Sequence, residues 1–129
     1  MFYVTDTHPL LWYLTDDERL SSSAKEIFDR AEKGEETIIV PTIVLAESFY
    51  TTKKYHMDIK FREVLDRLET GWNYQPYPLD LEIIKAIQNL DKLPELHDKI
   101  IVATARKLEA KLITKDEKIA SAQYVEIVW

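Results

Sequence analysis

Hydrophobic residues recur along this chain with two different periods. Ala24, Ile27, Phe28 and Ala31 stand at i, i+3, i+4 and i+7, as do Phe61, Val64, Leu65 and Leu68, and the set Ile83, Ala86, Ile87 and Leu90 repeats the spacing. A stripe of that period predicts an amphipathic helix. Ser22 or Ser23 is placed to cap the first helix, Gly34 lies just past its end, and Asp80 is placed to cap the third. Short β-rich runs lie between: Phe2 to Thr5, Thr37 to Val40, Lys111 to Thr114 and Tyr124 to Val128. Several are continuously apolar, as strands buried on both faces of a parallel sheet are. Asn73 to Pro78 is a weaker strand candidate, because its two prolines cannot donate ladder hydrogen bonds and confine it to a sheet edge.

Strands alternating with helices predict an α/β domain with a mostly parallel sheet. With 129 residues and no linker, repeat or low-complexity tract, the chain is expected to form a single domain over residues 1–129. In open sheets of this kind the ligand site lies beyond the carboxyl ends of the strands, where the strand order reverses. Asp6 directly follows the first strand and Asp116 follows the run Lys111 to Thr114 by one residue. Each alone suits a helix cap. Their shared position at strand ends makes the pair a candidate site.

Two further acids interrupt apolar patterns. On the helix beginning near Thr42, Ile43, Ala46, Glu47 and Tyr50 form one stripe, so Glu47 is expected to face inward. An inward carboxylate needs a cationic partner or a metal, since burying it alone costs several kcal/mol. Asp98 shares a helix face with Ile101, Val102 and Ala105, within a segment that reads as buried throughout. It is also placed to cap that helix after Pro94, and a helix N-terminus favours an anion.

Composition narrows the chemistry. The chain has no cysteine, so any metal must be held by oxygen or imidazole. Its only glycines, Gly34 and Gly71, cannot make a P-loop or a dinucleotide-binding fingerprint. Were the four acids gathered at one end of the sheet, they could not all ionise without a cation, and hard oxygen ligands suit Mg²⁺ or Mn²⁺. One or two such ions would be able to hold a scissile phosphate and lower the pKa of a bound water. The net charge of -6 argues against generic nucleic-acid binding, but two divalent ions add +4 and leave -2. Lys53, Lys54, Lys60 and Arg62, interleaved with Tyr55 and His56, are candidate contacts to a nucleic-acid backbone, though the stretch equally suits a solvated loop. His8 and His97 adjoin the acids and are expected to pack or hydrogen-bond rather than catalyse.

Taken together, these segments resemble the PIN domain, and within it the VapC-type toxins of toxin-antitoxin pairs. The likeness spans nearly the whole chain. It is carried by Thr5-Asp6-Thr7-His8-Pro9-Leu10-Leu11-Trp12, Val44-Leu45-Ala46-Glu47, Glu95-Leu96-His97-Asp98-Lys99-Ile100 with Ile101 to Ala105, and Lys111-Leu112-Ile113-Thr114-Lys115-Asp116. The resemblance implies a three-layer α/β/α sandwich with a five-stranded parallel sheet in order 3-2-1-4-5. It implies a Mg²⁺- or Mn²⁺-dependent ribonuclease, usually dimeric and inhibited by a cognate antitoxin. Asp6, Glu47, Asp98 and Asp116 correspond to the family's acidic quartet, with Asp6 and Asp98 the best direct ligands. Thr114 matches a hydroxyl that orients a carboxylate or water.

Trp12, Tyr13, Phe49, Tyr50, Tyr55 and Trp72 are more aromatic surface than one small core needs, consistent with a dimer and an antitoxin-binding face. The N-terminus carries no leader-like pattern and no apolar run is long enough to span a bilayer, so a cytoplasmic protein is expected. Two other readings remain at this point. One is a related RNA-processing or DNA nuclease. The other is a phosphoacceptor receiver-like domain, which needs an aspartate ending the third strand and a lysine ending the fifth. Here the third strand runs towards Asp80 and the last ends at Trp129.

Overall fold

The computed structural model describes every residue except Trp72. The strands are β1 (Phe2–Thr5), β2 (Thr37–Pro41), β3 (Tyr74–Tyr77), β4 (Lys111–Ile113) and β5 (Ile127–Val128). They form one sheet in the order β3-β2-β1-β4-β5, with every pairing parallel. The helices are α1 (Thr7–Leu14), α2 (Ser22–Glu32), α3 (Thr42–Lys54), α4 (Phe61–Thr70), α5 (Leu81–Ala86), α6 (Leu96–Lys107) and α7 (Glu117–Ala122). The chain steps outward from β1 to β2 and β3, then crosses to β4 on the far side of β1. Because parallel crossovers are right-handed, that reversal sends α1 to α4 to one face of the sheet and α5 to α7 to the other.

The central strands are the apolar runs. Val4, Ile38, Val40, Leu112 and Ile113 have no exposed surface, as strands covered on both faces require. β3 lies at the edge, where Pro76 pairs with Val40 and its missing N–H has no further strand to serve. Tyr13 stacks on Phe28 at 4.7 Å between ring centroids and Trp12 is buried, so these two aromatic residues belong to the packed interior. Phe49, Tyr50 and Tyr55 are exposed. Trp72, the remaining aromatic residue of that set, lies outside the described residues.

Several boundaries shift for local reasons. Ser21, rather than Ser22 or Ser23, caps α2: its hydroxyl accepts from the Ala24 N–H at 3.1 Å. Asp80 caps α5, accepting from the Ile83 N–H at 2.9 Å, but the helix tightens at Ile87–Asn89 into a 3₁₀ turn before Leu90. Thr7–Leu14, a segment without a clear period, is helical and carries Pro9 in its first turn, where a missing N–H costs nothing.

Candidate active site

Thr5 of β1 pairs with Ile113 of β4, and the Asp6 N–H extends this ladder by donating to the Ile113 carbonyl at 3.0 Å. This is the place where the strand order reverses. Asp6 and Asp116 both leave the sheet here. Asp6 begins α1, its Oδ1 accepting from the Thr7 N–H at 2.7 Å. Asp116 begins α7, its Oδ1 accepting from Lys118 and Ile119 at 2.8 and 3.1 Å. The Thr114 hydroxyl links the two turns: it donates to Asp6 Oδ2 at 2.8 Å and accepts from the Asp116 N–H at 3.1 Å.

Asp98 enters from α6 and is 4% exposed. It does not cap the helix. Glu95 holds that position without a side-chain hydrogen bond, and Asp98 lies in the first turn. Its Oδ2 is buried with no hydrogen-bond partner. Burial, and then the charges of Asp116 and Asp6, raise its pKa to about 6. The neighbouring His97 ring opposes the rise without cancelling it, so the carboxylate remains short of positive charge.

Glu47 arrives differently from the sequence expectation. The buried residues of α3 are Val44, Ser48, Thr51 and Thr52, whereas Ala46 and Tyr50 are exposed. Ser48 and Thr52 sit inside because their hydroxyls donate to the Val44 and Ser48 carbonyls at 2.7 and 2.9 Å. Glu47 therefore stands at the margin of the site, 39% exposed, and pairs with His97 Nδ1. The other ring nitrogen of His97, Nε2, lies 3.1 Å from Asp6 Oδ1. Burial disfavours a charged ring, but hydrogen bonds and charge from Asp6 and Glu47 outweigh it and raise the His97 pKa to about 10. Asp6 answers in kind: burial opposes its ionisation, yet His97, Thr114 and the Thr7 N–H hold its pKa below the usual carboxylate range.

The structure thus links Asp6 to Asp116 through Thr114, sets Asp98 within reach of the charges of both, and joins Glu47 to Asp6 through His97, which takes the hydrogen-bonding role expected of it. Among the described residues, no group of three or more His, Asp or Glu side chains stands ready to enclose one ion. The donor chemistry nevertheless fits a hard divalent cation: the ligands are carboxylate oxygens, and the buried Asp98 Oδ2 has no other partner. The candidate RNA contacts Lys53, Lys54, Lys60 and Arg62 are all exposed at the end of α3 and the start of α4. Lys53 and Lys54 lie over the Phe49 and Tyr55 rings at 4.2 and 5.2 Å. Asp80, the acid that a receiver domain would phosphorylate, is instead engaged as a cap and lies 3.7 Å from Lys107.

Residues 3–123 match the family model of the PIN domain. No curated protein matches. Among solved structures, a chain of a toxin-antitoxin complex from Klebsiella pneumoniae is 23% identical with a TM-score of 0.69, the match covering 95% of this chain and 94% of that one. VapBC2 from Rickettsia felis, bound to a DNA fragment from its promoter, gives 18% identity and a TM-score of 0.71 over 98% and 97% of the two chains. VapC20 from Mycobacterium tuberculosis, a toxin that cleaves the sarcin-ricin loop, gives 13% identity and a TM-score of 0.72 over 98% and 99%. At these identities the likeness is one of fold.

Proposed function

The chain belongs to the PIN domain family, and from that premise we propose that it is a Mg²⁺- or Mn²⁺-dependent endoribonuclease, the toxin of a type II toxin-antitoxin pair. One observation carries the reading: a buried carboxylate oxygen, Asp98 Oδ2, has no partner and lies among Asp6 and Asp116 at the carboxyl ends of β1 and β4. Asp6, Asp98 and Asp116 hold the metal, and Glu47 completes the set directly or through water. A divalent ion there supplies positive charge to the scissile phosphate and lowers the pKa of a bound water. Thr114 fixes the Asp6 carboxylate by donating to Oδ2, and His97 holds Asp6 and Glu47 in mutual reach. Lys53, Lys54, Lys60 and Arg62 contact the RNA backbone outside the acids.

The purified protein is expected to cleave single-stranded RNA in Mg²⁺ or Mn²⁺ and to stop on chelation. Activity should also fall as pH drops through about 6, because Asp98 takes up a proton there and a protonated carboxyl is a poor metal ligand. The neutral form is favoured below this pKa, so the loss lies on the acid side. Saturating metal should shift the midpoint lower, since metal and proton compete for one site. A profile flat from pH 5 to 8, measured at limiting metal, would remove Asp98 from the ligand set.

The partner and assembly readings rest on exposed apolar surface. Phe49 and Tyr50 on α3, with Leu79, Leu81 and Ile84 around α5, remain in solvent in the single chain, and such patches mark contact surfaces. The Klebsiella pneumoniae and Rickettsia felis relatives in fold are toxin-antitoxin assemblies. Light scattering is expected to give twice the chain mass, and the native protein should co-purify with a small partner. A strict monomer at high concentration would remove the dimer. The proposed setting is the cytoplasm; none of the helices of the described residues is long and apolar enough to cross a membrane.

A further inference from the structure

Beside the acids lies a cleft of about 420 Å³ whose lining joins Asp6, Asp116 and Glu117 to His8, Trp12 and Lys115. Its size suits a small ligand, for which sites of roughly 300–1,000 Å³ are usual. Trp12 is the fixed element: buried in the interior, it meets the His8 ring at 5.5 Å and the Trp129 ring at 6.0 Å. His8 precedes it by one helical turn on α1, so the packed indole holds the half-buried imidazole in place. The His8 ring in turn meets the exposed Tyr55 ring at 6.1 Å.

Two cations approach the same indole. Arg19 lies 5.0 Å from the Trp12 centroid and is already engaged by Asp17, with Nε and Nη2 donating at 3.0 and 2.7 Å. Lys115 Nζ lies 5.8 Å from that centroid and, among the described residues, pairs with no carboxylate. It sits in the turn between Thr114 and Asp116, whose shape the Thr114 hydroxyl fixes. Core packing accounts for Trp12 but not for an uncommitted ammonium and two accessible rings beside a set of acids.

A bare phosphate has no use for the rings, and an apolar peptide has none for the ammonium. A nucleotide uses both. We propose that this cleft seats the nucleotide next to the bond being cut, its base packed on the His8 ring of the cleft wall with the Tyr55 ring beyond it at the rim, and its phosphate on Lys115 Nζ. Stacking of this kind tolerates any base, because every base has a π-face. The assignment rests on the nuclease reading, since Asp6, Asp116 and Glu117 repel a phosphate until a cation joins them.

Lys115→Ala, His8→Ala and the conservative Lys115→Arg test it, with Tyr55→Ala, at an exposed position, available should His8→Ala fail to fold. Cleavage of a short single-stranded RNA in Mg²⁺ is expected to show KM raised about tenfold in each alanine variant, kcat lowered much less, and near-complete rescue of KM by Lys115→Arg. Independently, quenching of tryptophan emission by the same RNA in Ca²⁺ should show Kd raised about tenfold. Cleavage with KM and Kd unchanged in the Lys115 variant and in a folded ring variant would overturn the cleft while leaving the nuclease standing. Binding that weakens in the variants without any cleavage by the wild type would overturn the nuclease and, with it, the place of the nucleotide beside a scissile bond, leaving the His8 ring and Lys115 as an RNA-binding surface. Neither cleavage nor binding would overturn both.

Discussion

Asp98→Asn is expected to lower RNA cleavage about a thousandfold while leaving the fold intact, because a metal held at the site contributes several kcal/mol of charge stabilisation and each 1.36 kcal/mol is tenfold in rate. Asparagine keeps the shape of the side chain, and its amide donates readily to the neighbouring carboxylates. The same variant should be more stable than wild type in the absence of metal at neutral pH. The sign follows from the raised pKa of Asp98. Folding disfavours its ionised form, so the wild type carries no penalty below about pH 4 and the full penalty above about pH 6. That penalty is at most about 3 kcal/mol for a shift of roughly two pH units. Denaturant midpoints for the two proteins should therefore coincide at pH 4 and separate at pH 7.5, with the variant ahead. A variant that cleaves at near wild-type rate, or that is less stable at pH 7.5 in chelator, would show that Asp98 is not the crowded ligand described here.

A second large effect is expected from metal on thermal stability. A ligand bound only by the folded state contributes RT ln(1 + [L]/Kd), about 2.7 kcal/mol at one hundred times Kd, which for a domain of this size raises Tm by roughly 10 °C. Asp6→Asn with Asp116→Asn should remove most of that rise. Without metal, this double variant should differ from wild type less than Asp98→Asn does, because the charge it lifts from Asp98 and the Asp6–His97 pairing it loses oppose each other. Crowding among the acids falls on Asp98, whereas Asp6 is already stabilised as an anion by His97 and Thr114. Neutralising Asp6 strips His97 of one of its two partners, while an asparagine at 116 still caps α7. Equal metal shifts in double variant and wild type would take Asp6 and Asp116 out of the site.

Much of this arrangement is legible in local pattern. Two β-rich runs, Phe2 to Thr5 and Lys111 to Thr114, read as strands, and an acid just past the end of each falls at the mouth of the sheet. The prolines at 76 and 78 demand an edge position, which β3 occupies. Asp98 stands out because apolar residues surround it in α6. In each case the chemistry of a short segment restricts its environment, so a period or a missing donor is enough to read it.

Glu47 shows where such reading stops. An i, i+3, i+4, i+7 stripe marked one face of α3 as buried, but hydroxyls that donate to carbonyls one turn back let Ser48 and Thr52 go inside instead. A polar side chain that satisfies itself on its own helix is indistinguishable in sequence from one that needs water. For His97 a hydrogen-bonding role was legible but its partners were not, since Asp6 and Glu47 lie on other elements, Asp6 at a separation of 91 residues. Asp98 lost its apparent role as a cap because Glu95, one turn earlier, takes the cap position of α6. The cleft at Trp12 likewise needs α1, the end of α3, the turn after β4 and the C-terminal Trp129 to meet. Periodicity reports how each segment meets the core; which side chains then face one another depends on how crossovers of fixed hand bring distant segments to the same end of the sheet.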